Sequence, residues 1–239
     1  MRATFSRLVQ SLRDGVSLFW LAPVIVALIV IPEFIQHVAE IRIGMFDSKD
    51  AFRSLADDPR RMVWGYLKIA GLLLAILAAT RFWGARARGQ KWWDLSTIAW
   101  ANLALALVLM VLTGVPGLVL GPVIGEDAAG ILSLVVTLAT LPLIALLVAG
   151  LVGDRQASLK SVFRTGWLAS LRILVFAAVA WVPLQWLHGQ NHQWAMGQES
   201  AVLWSLMIFD ALVVGLLAAM AGTAFHHGYE PDHIQEESA

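Results

Sequence analysis

Four stretches of this chain contain no aspartate, glutamate, lysine or arginine over lengths close to or beyond a bilayer crossing: Gly15–Pro32, Leu95–Gly125, Ala128–Gly153 and Ile173–Gln198. A helix needs about 20 apolar residues to cover the hydrocarbon core. Two more stretches are apolar apart from one charge each, Met62–Thr80 with Lys68 and Ala201–Ala224 with Asp210. In lipid every backbone polar group must be bonded within the segment, so such runs fold as helices. The expected fold is therefore an all-α membrane protein, a polytopic bundle of about six transmembrane helices. The spans are placed near 15–36, 62–83, 95–120, 129–152, 167–188 and 201–225. They form a single transmembrane domain over 1–239, with 226–239 as a short acidic, histidine-containing cytoplasmic tail.

Composition agrees with this and narrows the function classes. The chain is 59% hydrophobic and only 14% charged, with a mean hydropathy of +0.71, unlike a soluble domain. Basic and acidic residues balance at 17 each, so no surplus of positive charge points to nucleic acid. Cysteine is absent, which excludes disulfides, thiolate metal sites and a cysteine nucleophile. No phosphate-cradling glycine loop and no GxSxG elbow is present. Arg2, Arg7 and Arg13 give a basic start, but the apolar run that follows is long and lacks a small-x-small cleavage site, so it reads as a retained span. Ahead of it, Phe5, Leu8, Val9 and Leu12 recur at helical spacing and predict a short amphipathic helix on the membrane surface.

Basic residues set the expected orientation. Arg2, Arg7 and Arg13, then Arg81, Arg86, Arg88 and Lys91, then Arg155, Lys160 and Arg164 fall on one side, while 121–128 and 189–200 have no lysine or arginine. Both termini are thus expected in the cytoplasm of a multi-pass inner-membrane protein. The connection 38–61 opposes this, holding Arg42, Lys49, Arg53, Arg60 and Arg61 on the outer side, but moving it inside would put Arg86, Arg88 and Lys91 outside. Within that loop Ala51, Phe52 and Leu55 share a helical face, with Asp47 or Ser48 as cap and Asp57-Asp58-Pro59 as stop. On the inner side Arg86, Arg88, Lys91, Trp92 and Trp93 mix cations with indoles, as an anchor to anionic membrane lipid does.

A gapless shift of 151 residues superposes Arg13 on Arg164, Gly15 on Gly166, Pro32 on Pro183 and His37 on His188, which suggests a parallel repeat of spans one and five. Gly114, Pro116, Gly117, Gly121, Pro122 and Pro142 punctuate spans three and four. Gly215 with Ala219, and Ala218 with Gly222, give span six a small-x-x-x-small face for close helix contact.

The chemistry-bearing residues gather at two span exits. Glu33, His37 and Glu40 are spaced four and three apart and share one face of a helix. His188 and His192 are four apart near the other exit, with Glu199 beyond, although Gly189 weakens a helix through that pair. Glu33, His37, Glu40, His188 and His192 are the candidate metal ligands, since imidazole and carboxylate suit zinc or a similar divalent ion. No HExxH or comparable motif accompanies them, and interfacial hydrogen bonding is the plainer reading. His37 and His188 as axial haem ligands fit poorly, both lying at helix ends on one side. Lys68 and Asp210 lie within spans at similar depth, where charge is costly; this allows a salt bridge or a shared water-filled cavity, the plainer alternative being Lys68 snorkelling outward while Asp210 hydrogen-bonds a neighbour. His226, His227 and His233, among Glu230, Asp232, Glu236 and Glu237, read as a solvated acidic end.

The six-span layout, the basic amphipathic start and the stretch Ser158-Leu159-Lys160-Ser161-Val162-Phe163-Arg164 resemble bacterial inner-membrane proteins of the YciC-like kind. That resemblance implies an envelope role with no catalytic residues. Three functions follow from the residues. The first is a non-catalytic inner-membrane protein that binds a lipid, a small ligand or a membrane-protein partner, itself included as a homo-oligomer. The second is a carrier for a small solute or ion using Lys68 and Asp210. The third is a metal-dependent membrane enzyme using the outer histidines and carboxylates. No cofactor is expected beyond such a divalent metal, and no nucleic acid.

Overall fold

The computed structural model describes residues 2–229. Among these the chain is helical throughout, without strands: α1 (Arg2–Leu21), α2 (Pro23–Arg42), α3 (Lys49–Ser54), α4 (Pro59–Arg86), a 3-10 turn (Leu95–Thr97), α5 (Trp100–Ile124), α6 (Glu126–Ala139), α7 (Leu143–Val152), α8 (Leu159–Thr165), α9 (Trp167–Ala195) and α10 (Ser200–Tyr229). Five of them, α2, α4, α5, α9 and α10, are long and apolar enough to cross a membrane. The pair α6 and α7 reaches that length together but bends by 49° at its break. Glu230, Asp232, His233, Glu236 and Glu237 of the expected tail lie outside the described residues, whereas His226 and His227 belong to the end of α10.

The first expected span, 15–36, is corrected. Helix α1 runs from Arg2 through Leu21, α2 starts at Pro23, and Ala22 between them takes φ −148° and ψ 63°. The cause is Pro23: it suits the first position of a helix but pushes the residue before it out of the helical region. The crossing-length helix is therefore α2, and the amphipathic start is longer than the short segment expected. The fourth span, 129–152, is likewise broken, at the turn through Thr140 that ends in Pro142. Helix α9 is longer than expected, running through Gly189 to Ala195, because side-chain anchors on both sides of the glycine outweigh its low propensity. Helix α3 matches the expected loop helix, with the Ser48 side chain accepting from the Ala51 backbone N–H at 3.1 Å.

The described residues divide into two compact units, one made of 2–79 with Phe176–Ala224 and the other of Thr80–Val175 with 225–229. In the first, α2, α4 and α10 share a core of Ile29, Ala75, Val214 and Ala218. The small residues of α10 allow close packing: a methyl on Gly215 would meet Val26 and Val30, and one on Gly222 would meet the Ile76 carbonyl oxygen. In the second, the Ala99 N–H donates to the Gly150 carbonyl at 2.9 Å and Asn102 Nδ2 donates to the Asp154 and Ala157 carbonyls at 3.1 and 2.8 Å. Arg81 is buried there, donating to the Leu151 and Asp94 carbonyls at 3.0 and 2.8 Å and to the Thr97 hydroxyl. The Ser158 stretch begins α8 with a reciprocal cap between Ser158 and Ser161.

Pro32 lies inside α2 and has no N–H for the Leu28 carbonyl one turn earlier. Gly71 of α4 sits directly against that oxygen, where a methyl group would collide with it and touch Pro32 Cγ. Gly71→Ala should therefore cost about 1–3 kcal/mol, the usual range for an overpacked contact. Unfolding by SDS in mixed micelles would measure it, with Gly130→Ala as the reference at a helical glycine that has no neighbour within 4 Å.

Candidate functional site

Helix α2 turns one stripe inward, Glu33, Gln36, His37 and Glu40, all at 0–1% exposure. Spacings of three, one and three residues keep the four on one face. Opposite them α4 places Lys68 Nζ 3.2 Å from Glu33 Oε1, and Arg61 Nε donates to Glu40 Oε1 at 2.7 Å. The acids are seven residues apart on α2 and the cations seven apart on α4, in opposite chain directions. Two level rungs thus join an antiparallel helix pair. Between them Gly65 leaves room for Gln36, whose amide donates to Glu40 Oε1 at 2.9 Å.

From the other side α9 contributes His188, Asn191 and His192, and α10 contributes Asp210, which is 0% exposed. Asp210 Oδ1 accepts from Asn191 Nδ2 at 2.8 Å. Asp210 Oδ2 faces three imidazoles: His188 Nδ1 at 2.7 Å, His37 Nε2 at 3.0 Å and His192 Nε2 at 3.4 Å. The third is close enough for electrostatics, but no partner aligns with it as a hydrogen bond. His37 also has Nδ1 2.9 Å from Glu40 Oε2 and Nε2 3.3 Å from Glu33 Oε1. A neutral imidazole donates from only one nitrogen, so an imidazole flanked by carboxylates on both sides is an imidazolium or shares the proton of one carboxyl. With three carboxylates against Arg61 and Lys68, one such proton brings the cluster to neutrality. The edges of Phe46 and Phe52 close over His192, with ring centres 5.8 and 6.0 Å away.

Four of the five expected metal ligands, Glu33, His37, His188 and His192, are therefore brought together around Asp210, with Glu40 behind them on His37, and Glu199 is apart, exposed just before α10. Two ligand groups result, Glu33 with His188, His192 and Asp210, and His37 with Glu40 and His192; in each the ligand atoms lie within 4.8 Å of one another. Either could hold a metal ion. The expected pairing of Lys68 with Asp210 is replaced by Lys68 with Glu33, because the lysine sits level with Glu33 across the α2–α4 seam while Asp210 is enclosed by histidines. His37 and His188 meet at one oxygen, Asp210 Oδ2. The helix breaks do not repeat, however: Gly15 is inside α1 and Gly166 separates α8 from α9. Arg86, Arg88, Lys91, Trp92 and Trp93 belong to the other unit, where Arg86 lies 6.0 Å from the Phe82 ring centre and the two indoles stack edge to face at 5.8 Å.

The sequence offers Asp210 as a partner for Lys68 and Arg61 as a loop charge, and it assigns Gln36 and Asn191 no role. The spacing contained a signal for the amides. Each lies three residues after an expected ligand, Glu33 or His188, and so on the same helical face.

The rung geometry predicts coupling where it exists. In a double-mutant cycle read by SDS unfolding, Lys68→Met with Glu33→Leu should show about 0.5–3 kcal/mol of interaction energy, whereas Lys68→Met with Asp210→Leu should be closer to additive. Equal coupling in both cycles would contradict the rungs. No family model matches the chain, and neither a curated protein nor a solved structure matches it.

Proposed function

We propose that this chain is a non-catalytic integral inner-membrane protein that holds one divalent transition-metal ion, zinc or a similar ion, among Glu33, His188, His192 and Asp210. The observation that carries this reading is a pair of buried ligand atoms, Glu33 Oε2 and His192 Nε2, that have no hydrogen-bond partner in the same group. Leaving such atoms bare is costly, about 1–3 kcal/mol for a neutral group and more for a charged one. An ion would satisfy both. Ligands about 2.0–2.2 Å from a tetrahedral ion stand about 3.3–3.6 Å apart, so the 3.4 Å separation at Asp210 Oδ2 already fits and the 2.7 Å one opens by about 0.6–0.9 Å. Two imidazoles and two carboxylates make a donor set suited to zinc and its neighbours. His37 and Glu40 then act behind the ligands, His37 bonding the same Asp210 oxygen as a supporting hydrogen-bond partner. Release of the cluster's shared proton offsets one of the ion's two charges.

In this reading the chain crosses six times, α6 with α7 forming one bent crossing, both termini are cytoplasmic and α1 lies along the inner surface. The metal centre then sits near the outer boundary. Arg86, Arg88, Lys91, Trp92 and Trp93 meet anionic lipid on the inner side. Labelling of intact cells by an impermeant thiol reagent checks the orientation: Gln193→Cys should react and Ser158→Cys should be shielded, and the reverse result would invert it.

A carrier for a small solute or ion is the second reading, supported by the unbroken path from Lys68 to Glu33, His37 and Asp210 through separations of 3.2, 3.3 and 3.0 Å. Elemental analysis of protein purified without chelator, with calorimetric titration of the stripped protein by zinc, separates the two. The proposal expects one equivalent of metal, lost in His192→Ala and retained in Glu199→Gln. Negligible metal in the native protein and no binding to the stripped one would leave the cluster as an ionic clasp or a proton path.

A further inference from the structure

The opposite face of the same helix pair carries a second site of different chemistry. Ile35, Val38, Ala39, Arg42 and Ile43 recur at spacings of three, one, three and one along α2, turned away from Glu33, Gln36, His37 and Glu40. With Arg60 and Trp64 of α4 they line an open cavity of about 300 Å³. In the register set by the Glu33–Lys68 and Glu40–Arg61 rungs, each step back along α2 is matched by a step forward along α4. Arg42 is then level with Arg60 to within a residue, and Val38 with Trp64. The groove is thus graded along its length. Both guanidinium groups lie at the end where α2 stops and α4 starts, and the aliphatic and indole surface runs from there toward the middle of two crossing-length helices.

We propose that this groove binds an anionic phospholipid, with the headgroup phosphate between Arg42 and Arg60 and the start of an acyl chain along Ile35, Val38 and Trp64. The charges support that occupant. Arg42 has no ion-pair partner among the described residues. Arg60 donates Nε and one terminal nitrogen to Asp58 at 3.0 and 2.8 Å, which leaves Nη1 for an acceptor, and its side chain is 69% exposed. Asp58 removes one of the two positive charges, so the groove has a net charge of one, matched to a single phosphodiester. Arg61, the neighbouring cation, is committed to Glu40 on the other face. Guanidinium is the group best shaped to chelate phosphate oxygens through paired N–H donors. A void of this size accommodates a headgroup and glycerol but not a whole lipid, so the remaining chain stays in the bilayer. An apolar peptide would leave Arg42 unpaired, and a free phosphate would leave the apolar wall bare.

Native mass spectrometry of the full chain in detergent tests this, with phosphatidylglycerol and phosphatidylcholine of identical acyl chains added in competition. The expected result is preferential retention of phosphatidylglycerol, reduced on the order of fivefold for each arginine removed in Arg42→Gln and Arg60→Gln. The control Arg53→Gln, at an exposed arginine of α3 outside the groove, leaves the preference unchanged. Melting temperatures in the same detergent show that the variants remain folded, and the conservative Arg42→Lys retains part of the preference if charge is what the site supplies. Equal retention of the two lipids by the wild-type chain overturns the proposal, as does a preference that is undiminished in the double variant Arg42→Gln with Arg60→Gln. Displacement of the lipid by millimolar inorganic phosphate alone also overturns it, since the apolar wall would then contribute nothing.

Discussion

A carboxylate with no solvent exposure, set in helices built to lie in hydrocarbon, determines how the first unit is assembled. Asp210 is costly wherever it is not compensated, and nothing on α10 itself compensates it. The partners come from two other helices, His37 from α2 and His188, Asn191 and His192 from α9. Glu33 and Glu40, which hold His37, bring α4 into the arrangement through Lys68 and Arg61. One acidic group on one helix thus accounts for the placing of four. Because breaking a buried ionic contact costs about 3–5 kcal/mol, the polar cluster specifies which helix faces meet, where lipid-like side chains alone would tolerate many rotations.

Much of this could be read in the amino acids, and the limits have physical causes. The all-helical, multi-pass character and the rough position of the long helices follow from charge-free length, a property each segment has by itself. The break at Ala22 was missed although Pro23 announces it, because hydropathy averages over a residue that acts on backbone geometry. The continuation of α9 through Gly189 was hidden for the opposite reason: glycine weakens a helix locally, and the contacts that override it come from α10. The four-residue spacings of Glu33 with His37 and His188 with His192 identified shared faces correctly, since that is local geometry. That both faces converge on Asp210, and that Lys68 answers Glu33, depends on how helices are paired across the bundle. No spacing within one helix encodes that.

The two faces of α2 divide the chemistry of the helix. One is sealed and ionic, and the other is open, apolar and edged with arginine. The Pro32 and Gly71 contact belongs to both, since it draws α4 close enough for the rungs on one side and for the wall of Trp64 and Val38 on the other. A substitution that pushes the two helices apart there should disturb both faces at once, while one at Arg42 or His192 should disturb one.

The equal seven-residue separation of the two rungs also sets what kind of motion this pair permits. Seven residues advance about 10.5 Å along a helix. Sliding α4 past α2 by that distance would re-form one rung at most, and any smaller slide would leave all four charges without their partners in a medium that penalises them. Axial sliding is therefore closed to these helices. The freedom left to them is flexure, and its natural place is the turn around Pro32, where α2 already lacks a backbone bond.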